Sequence, residues 1–340
     1  MRVRQALELF QSAEQARYDS DQCAAGRWTC HMLTGEFELA WRESDAIANR
    51  GQPDPNRFWD GRPFTGRKVL LRCLHGLGDT LQFVRYAHLI RQQARWLAIE
   101  GQPRLKLLLK EAGLADCVMT WGEPEPPWDQ QMEVMELPRI FRTTLDTIPN
   151  RVPYITLNAG SSNDGTVAVE PSGPPNSPSP TLRVGLVWAS STYNPARSVP
   201  IQCASALFDT PGVVFFSLQA GIESAEIEPW AERVPCLDDP STCVLGTAKS
   251  LAQVDLVITV DTMMAHLAGA MGKPVWTLLP YECDWRWMVG REDSPWYPTM
   301  RLFRQREPGV WNPVIARVRR ELTALENSKR HRPANLVRGA

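Results

Sequence analysis

The chain has 340 residues, enough for two domains of ordinary size each with its own core, so a single small module is excluded. Its 37 basic and 38 acidic side chains leave a net charge of -1, so no overall field draws a polyanion and no nucleic-acid partner is expected. Residues 1–10 carry charges through what would be the apolar core of a signal segment, and no later run reaches the length of a membrane span; a cytoplasmic protein is expected.

Residues 4–50 read as helices. Ala6, Leu9, Phe10 and Ala13 recur at helical spacing, and Phe37, Ala40, Trp41 and Ile47 do so after a break at Gly35, which predicts a helical hairpin over 1–52. Residues 34–41 look like the start of a tetratricopeptide repeat, but one repeat cannot make a solenoid, so a helical layer on the next domain is the reading favoured. Residues 53–63 are proline-rich loop. From Arg67 the pattern changes to alternation: strand 68–74, a helical face of Phe83, Ala87, Ile90 and Ala94, strand 96–99, helix 105–112, then shorter apolar runs to the Leu137-Pro138 turn and Tyr154. This predicts a doubly wound α/β domain over 53–158.

Residues 159–181 hold five prolines, five serines and three glycines with almost no aliphatic pattern, as an interdomain linker would. Alternation then resumes: strand 184–188, helix 202–208, strand 213–218, helix 243–252, strand 256–260, helix 263–270, strand 275–279 and a closing helix 313–325. A second α/β domain is predicted over 182–326, followed by a basic tail over 327–340.

The chemistry is expected at three strand ends. In open α/β sheets ligands bind outside the carboxyl ends of the strands, so two such domains predict a cleft there. The first strand end is Gly76-Leu77-Gly78-Asp79, where Asp79 is either a base aimed at a substrate or the cap of the following helix. The second is the hydroxyl-rich turn after Trp188, with Ser190 and the guanidinium of Arg197. The third is Asp261-Thr262, which caps a helix continuing Met263, Met264, Ala265 and His266. A dinucleotide fingerprint competes for the first, with Glu100 near the distance of a ribose contact, but Leu81 occupies the third glycine position. Arg197 also reads as a surface charge and His266 as a packed helix residue.

The eight cysteines form no C-x-x-C pair and read as reduced, buried thiols; the five histidines show no metal-ligand spacing, so no metal is expected. The 13 tryptophans read mostly as packing.

In order along the chain, His75-Gly76-Leu77-Gly78-Asp79-Thr80-Leu81-Gln82-Phe83, Val184-Gly185-Leu186-Val187-Trp188-Ala189, Phe216-Ser217-Leu218-Gln219, Asp261-Thr262-Met263-Met264-Ala265-His266 and Ser294-Pro295-Trp296-Tyr297-Pro298 resemble the glycosyltransferase domain that ends many bacterial tetratricopeptide-repeat proteins. That domain is similar to the ADP-heptose:lipopolysaccharide heptosyltransferases, and the resemblance covers about residues 35–325. It implies a GT-B fold of two Rossmann-like domains facing a cleft, with a nucleotide-sugar donor, ADP-linked favoured, on the C-terminal domain and the acceptor on the N-terminal one. It implies no cofactor and no metal. The family's base carries over to Asp79 at the turn of Gly76 and Gly78, its diphosphate-stabilising residue to Arg197, and its donor-binding helix start to Asp261, Thr262, Met263 and His266, beside Trp188 and Ser190.

The implied activity is inverting transfer of a sugar, a heptose among the candidates, to a hydroxyl of a glycan, lipopolysaccharide or protein, with peripheral membrane association left open. Trp285, Arg286 and Trp287 are candidates to line the nucleobase pocket, with packing the alternative. Relatives usually carry Glu-Gln where this chain has Leu74-His75, and their several repeats are reduced here to about one. A GT-B scaffold without catalysis is the competing class, and a nicotinamide-dependent oxidoreductase the third.

Overall fold

The computed structural model describes residues 2–51, 57–157, 182–191, 193–237 and 243–330; the proposed linker and most of the basic tail lie outside them. The chain divides into two units. The first comprises Met1–Thr156, Gly269–Gly272 and Glu282–Leu302, and the second Leu157–Ala268, Lys273–Tyr281 and Phe303–Ala340. The units do not follow the linear division read from the sequence, because 269–272 and 282–302 group with the N-terminal half.

The first unit opens with three helices, α1 (Val3–Gln15), α2 (Ser20–Thr34) and α3 (Phe37–Asn49), rather than a two-helix hairpin. The extra break is set by Asp19, whose carboxylate accepts from Asp21 N at 2.9 Å and Gln22 N at 3.0 Å and so starts α2. Gly35 ends α2 at φ 81, the left-handed cap that glycine adopts without steric cost. Arg27 on α2 reaches Glu14 on α1 and Glu43 on α3, both at 2.7 Å, and ties the three helices. On α1 the inner face is Val3, Ala6, Leu7 and Phe10; Leu9, expected inside, is 70% exposed.

The sheet of this unit joins β1 (Lys68–Arg72), β2 (Trp96–Gly101), β3 (Cys117–Thr120) and β4 (Gln130–Glu133) in the order β3-β2-β1-β4. All three pairings are parallel, and Val69, Leu70 and Leu71 at its centre are fully buried. The helix expected across 83–94 is broken into α4 (Leu77–Phe83), a tight 3-10 turn (Val84–Tyr86) and α5 (Ala87–Arg91). The turn seats Arg85, which is 2% exposed, on the carbonyls of Gln82 at 2.6 Å and Trp296 at 2.5 Å and on the Tyr154 hydroxyl at 3.0 Å. The guanidinium also lies over the Tyr297 ring, 4.4 Å from its centroid, so segment 282–302 is locked onto this unit from within. Helices α6 (Lys106–Glu111) and α7 (Leu137–Ile140) complete the unit.

The second unit carries β5 (Leu182–Val187), α8 (Ile201–Ala204), β6 (Val213–Ser217), α9 (Val244–Ala252), β7 (Leu256–Val260), α10 (Met263–Ala270), β8 (Val275–Leu279), β9 (Met300–Arg304) and α11 (Asn312–Arg330), except that the last two residues of α10 and the first three of β9 group with the first unit. Its sheet order is β6-β5-β7-β8-β9, with parallel pairing of β5 to β6 and β7 and of β7 to β8. Strands β7 and β8 are buried at every position, which accounts for their unbroken apolar sequence. Helix α11 runs on to Arg330, so Lys329 and Arg330 belong to it and not to the tail. Of the eight thiols only Cys23, Cys30 and Cys73 are buried, and Cys236 is exposed, contrary to the expectation of uniformly buried cysteines. No helix among the described residues is long and apolar enough to cross a membrane.

Candidate active site

In the first unit the chain leaves β1 at the carboxyl edge of the sheet. Cys73 N bonds Glu100 O at 2.8 Å, and the backbone then turns through Leu74, His75 and Gly76 into α4. Asp79 occupies the third position of α4, and its Oδ2 accepts from Gly76 N at 2.9 Å, closing the turn. Gly78 lies in the same first helical turn. The other Asp79 oxygen, Oδ1, receives Arg286 Nη2 at 2.5 Å. Asp79 therefore caps its helix and also holds a charge partner.

Arg286 is itself fixed. It donates to Gln82 Oε1 at 2.7 Å and Asp284 Oδ1 at 3.0 Å, and lies 4.8 Å from the Trp285 ring centroid. Trp287 is fully buried and Trp285 packs 6.4 Å from Phe83, centroid to centroid, in a stacked arrangement. The three residues considered for a nucleobase pocket on the C-terminal domain thus group with the first unit, where Arg286 serves Asp79.

Beside the turn stands a second acid. Glu133, at the end of β4 and 1% exposed, accepts from Met135 N at 2.5 Å and Leu74 N at 3.4 Å, and its Oε2 lies 3.7 Å from His75 Nε2. Burial pushes its carboxyl up to about 7, reinforced by the neighbouring charges of Glu136 and Asp79 and opposed by the two N–H donors. Glu136 accepts from Glu133 N at 2.9 Å, Phe58 N at 3.0 Å and Trp59 N at 3.3 Å, and burial raises it as well. Gln102 Nε2 donates to the His75 carbonyl at 2.7 Å, so His75 sits on a braced backbone with its side chain 40% exposed.

In the second unit Gln219, just beyond β6, accepts from Trp188 N at 3.1 Å and Ala189 N at 2.9 Å and so holds the end of β5. The Trp188 indole is core, 1% exposed, with its Nε1 on Glu226 at 2.9 Å. Ser190 N donates to Ser198 Oγ at 3.0 Å and Ser190 Oγ to Asn194 O at 2.9 Å, so that Ser190, Asn194 and Ser198 are drawn together. This brings Arg197 to Asp261, 3.6 Å from its carboxylate and 3.3 Å from its carbonyl. Thr262 caps α10 by accepting from Met264 N at 3.2 Å. Met263 is half-buried, and Asp261 and His266 are each 5% exposed. Arg197, Asp261, Thr262 and Met263 are therefore one cluster at a helix N-terminus, with the guanidinium partly in solvent.

The residues of the dinucleotide alternative are otherwise engaged. Glu100 is 5% exposed and bound to Arg72 at 2.5 Å, and Leu81 is fully buried. Sequence reasoning missed Glu133 and Gln102, gave Gln219 no role, and placed Arg286 in a nucleobase pocket rather than beside Asp79; the signal available for Glu133 was an acid pair, Glu133 and Glu136, set among apolar residues before Leu137.

No family model matches the chain. It is 25% identical over 325 residues to the protein FlbA of Caulobacter vibrioides, with 86% of this chain and 53% of that protein covered. The chain thus spans about half the length of this curated relative. Among solved structures it is similar to E. coli ADP-heptose lps heptosyltransferase II, at 14% identity and a TM-score of 0.52, with 77% of this chain and 99% of that one covered. It also aligns with E. coli heptosyltransferase WaaC with ADP, at 14% identity and a TM-score of 0.48, covering 76% and 99% of the two chains. With its two α/β units and parallel sheets of four and five strands, the chain has the fold of an ADP-heptose heptosyltransferase.

Proposed function

We propose that the protein is a glycosyltransferase that moves a sugar from a nucleoside-diphosphate donor, ADP-linked by preference, to a hydroxyl of a glycan, lipid-linked or protein acceptor with inversion at the anomeric carbon. The observation that carries this reading is the seating of Arg197 on Asp261 at the N-terminus of α10. A guanidinium and the positive end of a helix are suited to the charge that gathers on a departing diphosphate, without a metal in that role. In the first unit, the carboxylate of Asp79 at the start of α4 is the candidate base for the acceptor hydroxyl. The name of the heptosyltransferase of like fold supports an ADP-linked donor, and a heptose is the first sugar to test.

As the hydroxyl oxygen attacks the anomeric carbon, its proton goes to the base and the carbon–oxygen bond to the diphosphate breaks. The electron pair leaves on phosphate. The test is thermal shift followed by transfer assay with ADP-, GDP- and UDP-sugars. A binding donor raises the melting temperature, Arg197→Met lowers that rise, and Asp79→Asn leaves it intact while cutting transfer on the order of 100-fold. No shift with any donor would favour a scaffold without catalysis, and full turnover in a folded Asp79→Asn would remove Asp79 as the base.

A further inference from the structure

At the turn between β1 and α4, His75 lies 3.7 Å from a buried acid, Glu133. Both oxygens of Asp79 are engaged, Oδ2 by the Gly76 N–H and Oδ1 by the Arg286 guanidinium. One turn of backbone supports two carboxyl groups: Gly76 N serves Asp79, Leu74 N serves Glu133, and His75 lies between the two donors in sequence. We propose that His75, seated against Glu133, is a second proton acceptor at this turn and an alternative to Asp79, taking the acceptor's hydroxyl proton while Asp79 stays paired with Arg286.

The geometry supplies the parts of such a pair. Glu133 is held by two backbone N–H groups and lies almost wholly out of solvent, as an orienting carboxylate should. Its Oε2 is within ion-pair distance of His75 Nε2, so Nε2 is the nitrogen assigned the proton and Nδ1 the one left to accept. The His75 backbone is braced by Gln102, which Thr80 Oγ1 in turn meets at 3.0 Å, while the imidazole keeps access to solvent.

In the step itself the hydroxyl O–H bond breaks and an N–H bond forms at Nδ1. The oxygen bonds the anomeric carbon, and the carbon–oxygen bond to the diphosphate releases its pair to phosphate. The imidazolium that results faces the Glu133 carboxylate. The titratable and charged groups around Glu133 are His75 and Cys73 from the β1 turn, Asp79 from α4 and Glu136 beyond β4. With its carboxyl near 7, Glu133 gains the charge that steadies the imidazolium as pH rises through neutrality.

This inference rests on the transferase reading. The experiment measures kcat and KM against pH for wild type, His75→Asn, Glu133→Gln, Asp79→Asn and the Asp79→Asn/His75→Asn pair. His75→Asn should lower kcat about 100-fold with little change in KM, added imidazole should restore part of that loss, and the double variant should lose the transfer that Asp79→Asn retains. Glu133, a positioning residue, should show its role as a lost rise of kcat through neutral pH in Glu133→Gln. Wild-type kcat and pH profile in His75→Asn would overturn the assignment. A wild type that transfers no sugar would instead refute the transferase reading. The pair is read independently from the ¹³C signal of the Glu133 carboxyl, whose titration midpoint should rise in His75→Asn; an unmoved midpoint overturns the pair whatever the turnover.

Discussion

Replacing Glu133 by glutamine tests the electrostatics of this turn without any substrate. Raising the carboxyl from its ordinary 4.5 to about 7 disfavours the charged form by about 3 kcal/mol, at ~1.4 kcal/mol for each tenfold change in proton affinity. The sign follows from which state holds the proton. As pH climbs from 4.5 towards 7 the unfolded chain has released the Glu133 proton while the folded unit retains it, so this carboxyl's contribution is complete below 4.5 and is lost on the way up. Glutamine imitates the protonated acid, with one oxygen to accept from Leu74 N or Met135 N, and it cannot ionise.

Glu133→Gln should therefore match wild type at about pH 4 and exceed it by about 3 kcal/mol at about pH 8. Hydrogen exchange at the amides of β1 and β4 under native conditions reads this locally, and comparison at equal pH cancels the intrinsic exchange rates. A gap that is the same at both pH values, or a variant less stable on the alkaline side, would refute the account of Glu133 as a buried acid whose charge is costly. A gain in stability with a loss of turnover is the pattern of a group kept for chemistry rather than for folding.

Two further substitutions test how segment 282–302 is held on the first unit. A methyl group on Gly269 would lie 2.4 Å from the Tyr297 ring, which is fully buried and cannot retreat, so Gly269→Ala should destabilise by roughly 2–3 kcal/mol in denaturant titration; wild-type stability would mean that the ring has room. Arg85→Met keeps the bulk but leaves the carbonyls of Gln82 and Trp296 without their donor, and a loss of about 3–5 kcal/mol is expected. A loss below about 1 kcal/mol would show that apolar packing and not the hydrogen bonds holds the segment.

Much of the second unit was legible in its residues. Strand β7, helix α10 and strand β8 begin and end where the pattern placed them, because strands buried on both faces must be apolar throughout and α10 starts at a side-chain cap. Strands β3 and β4 were not legible. Each has four residues, and β4 reads Gln130, Gln131, Met132 and Glu133, a polar segment that becomes strand by pairing in register with the apolar β1. The break at Arg85 was also hidden, since its partner Trp296 stands 211 positions away.

The strand-turn-helix around Asp79 and the capped helix start at Asp261 were determined by the sequence itself. Both depend on contacts within a few residues: a glycine that lets the chain turn, an acid three positions on, a threonine over the next N–H groups. What those groups face was decided only by the tertiary structure. Arg286 reaches Asp79 across 207 positions, Arg197 reaches the Asp261 carbonyl across 64, and Glu133 reaches Leu74 across 59. No periodicity encodes such pairs, because they arise where sheet order and a returning segment bring distant chain together, and it is these partners that decide what each charged group of the site is bonded to.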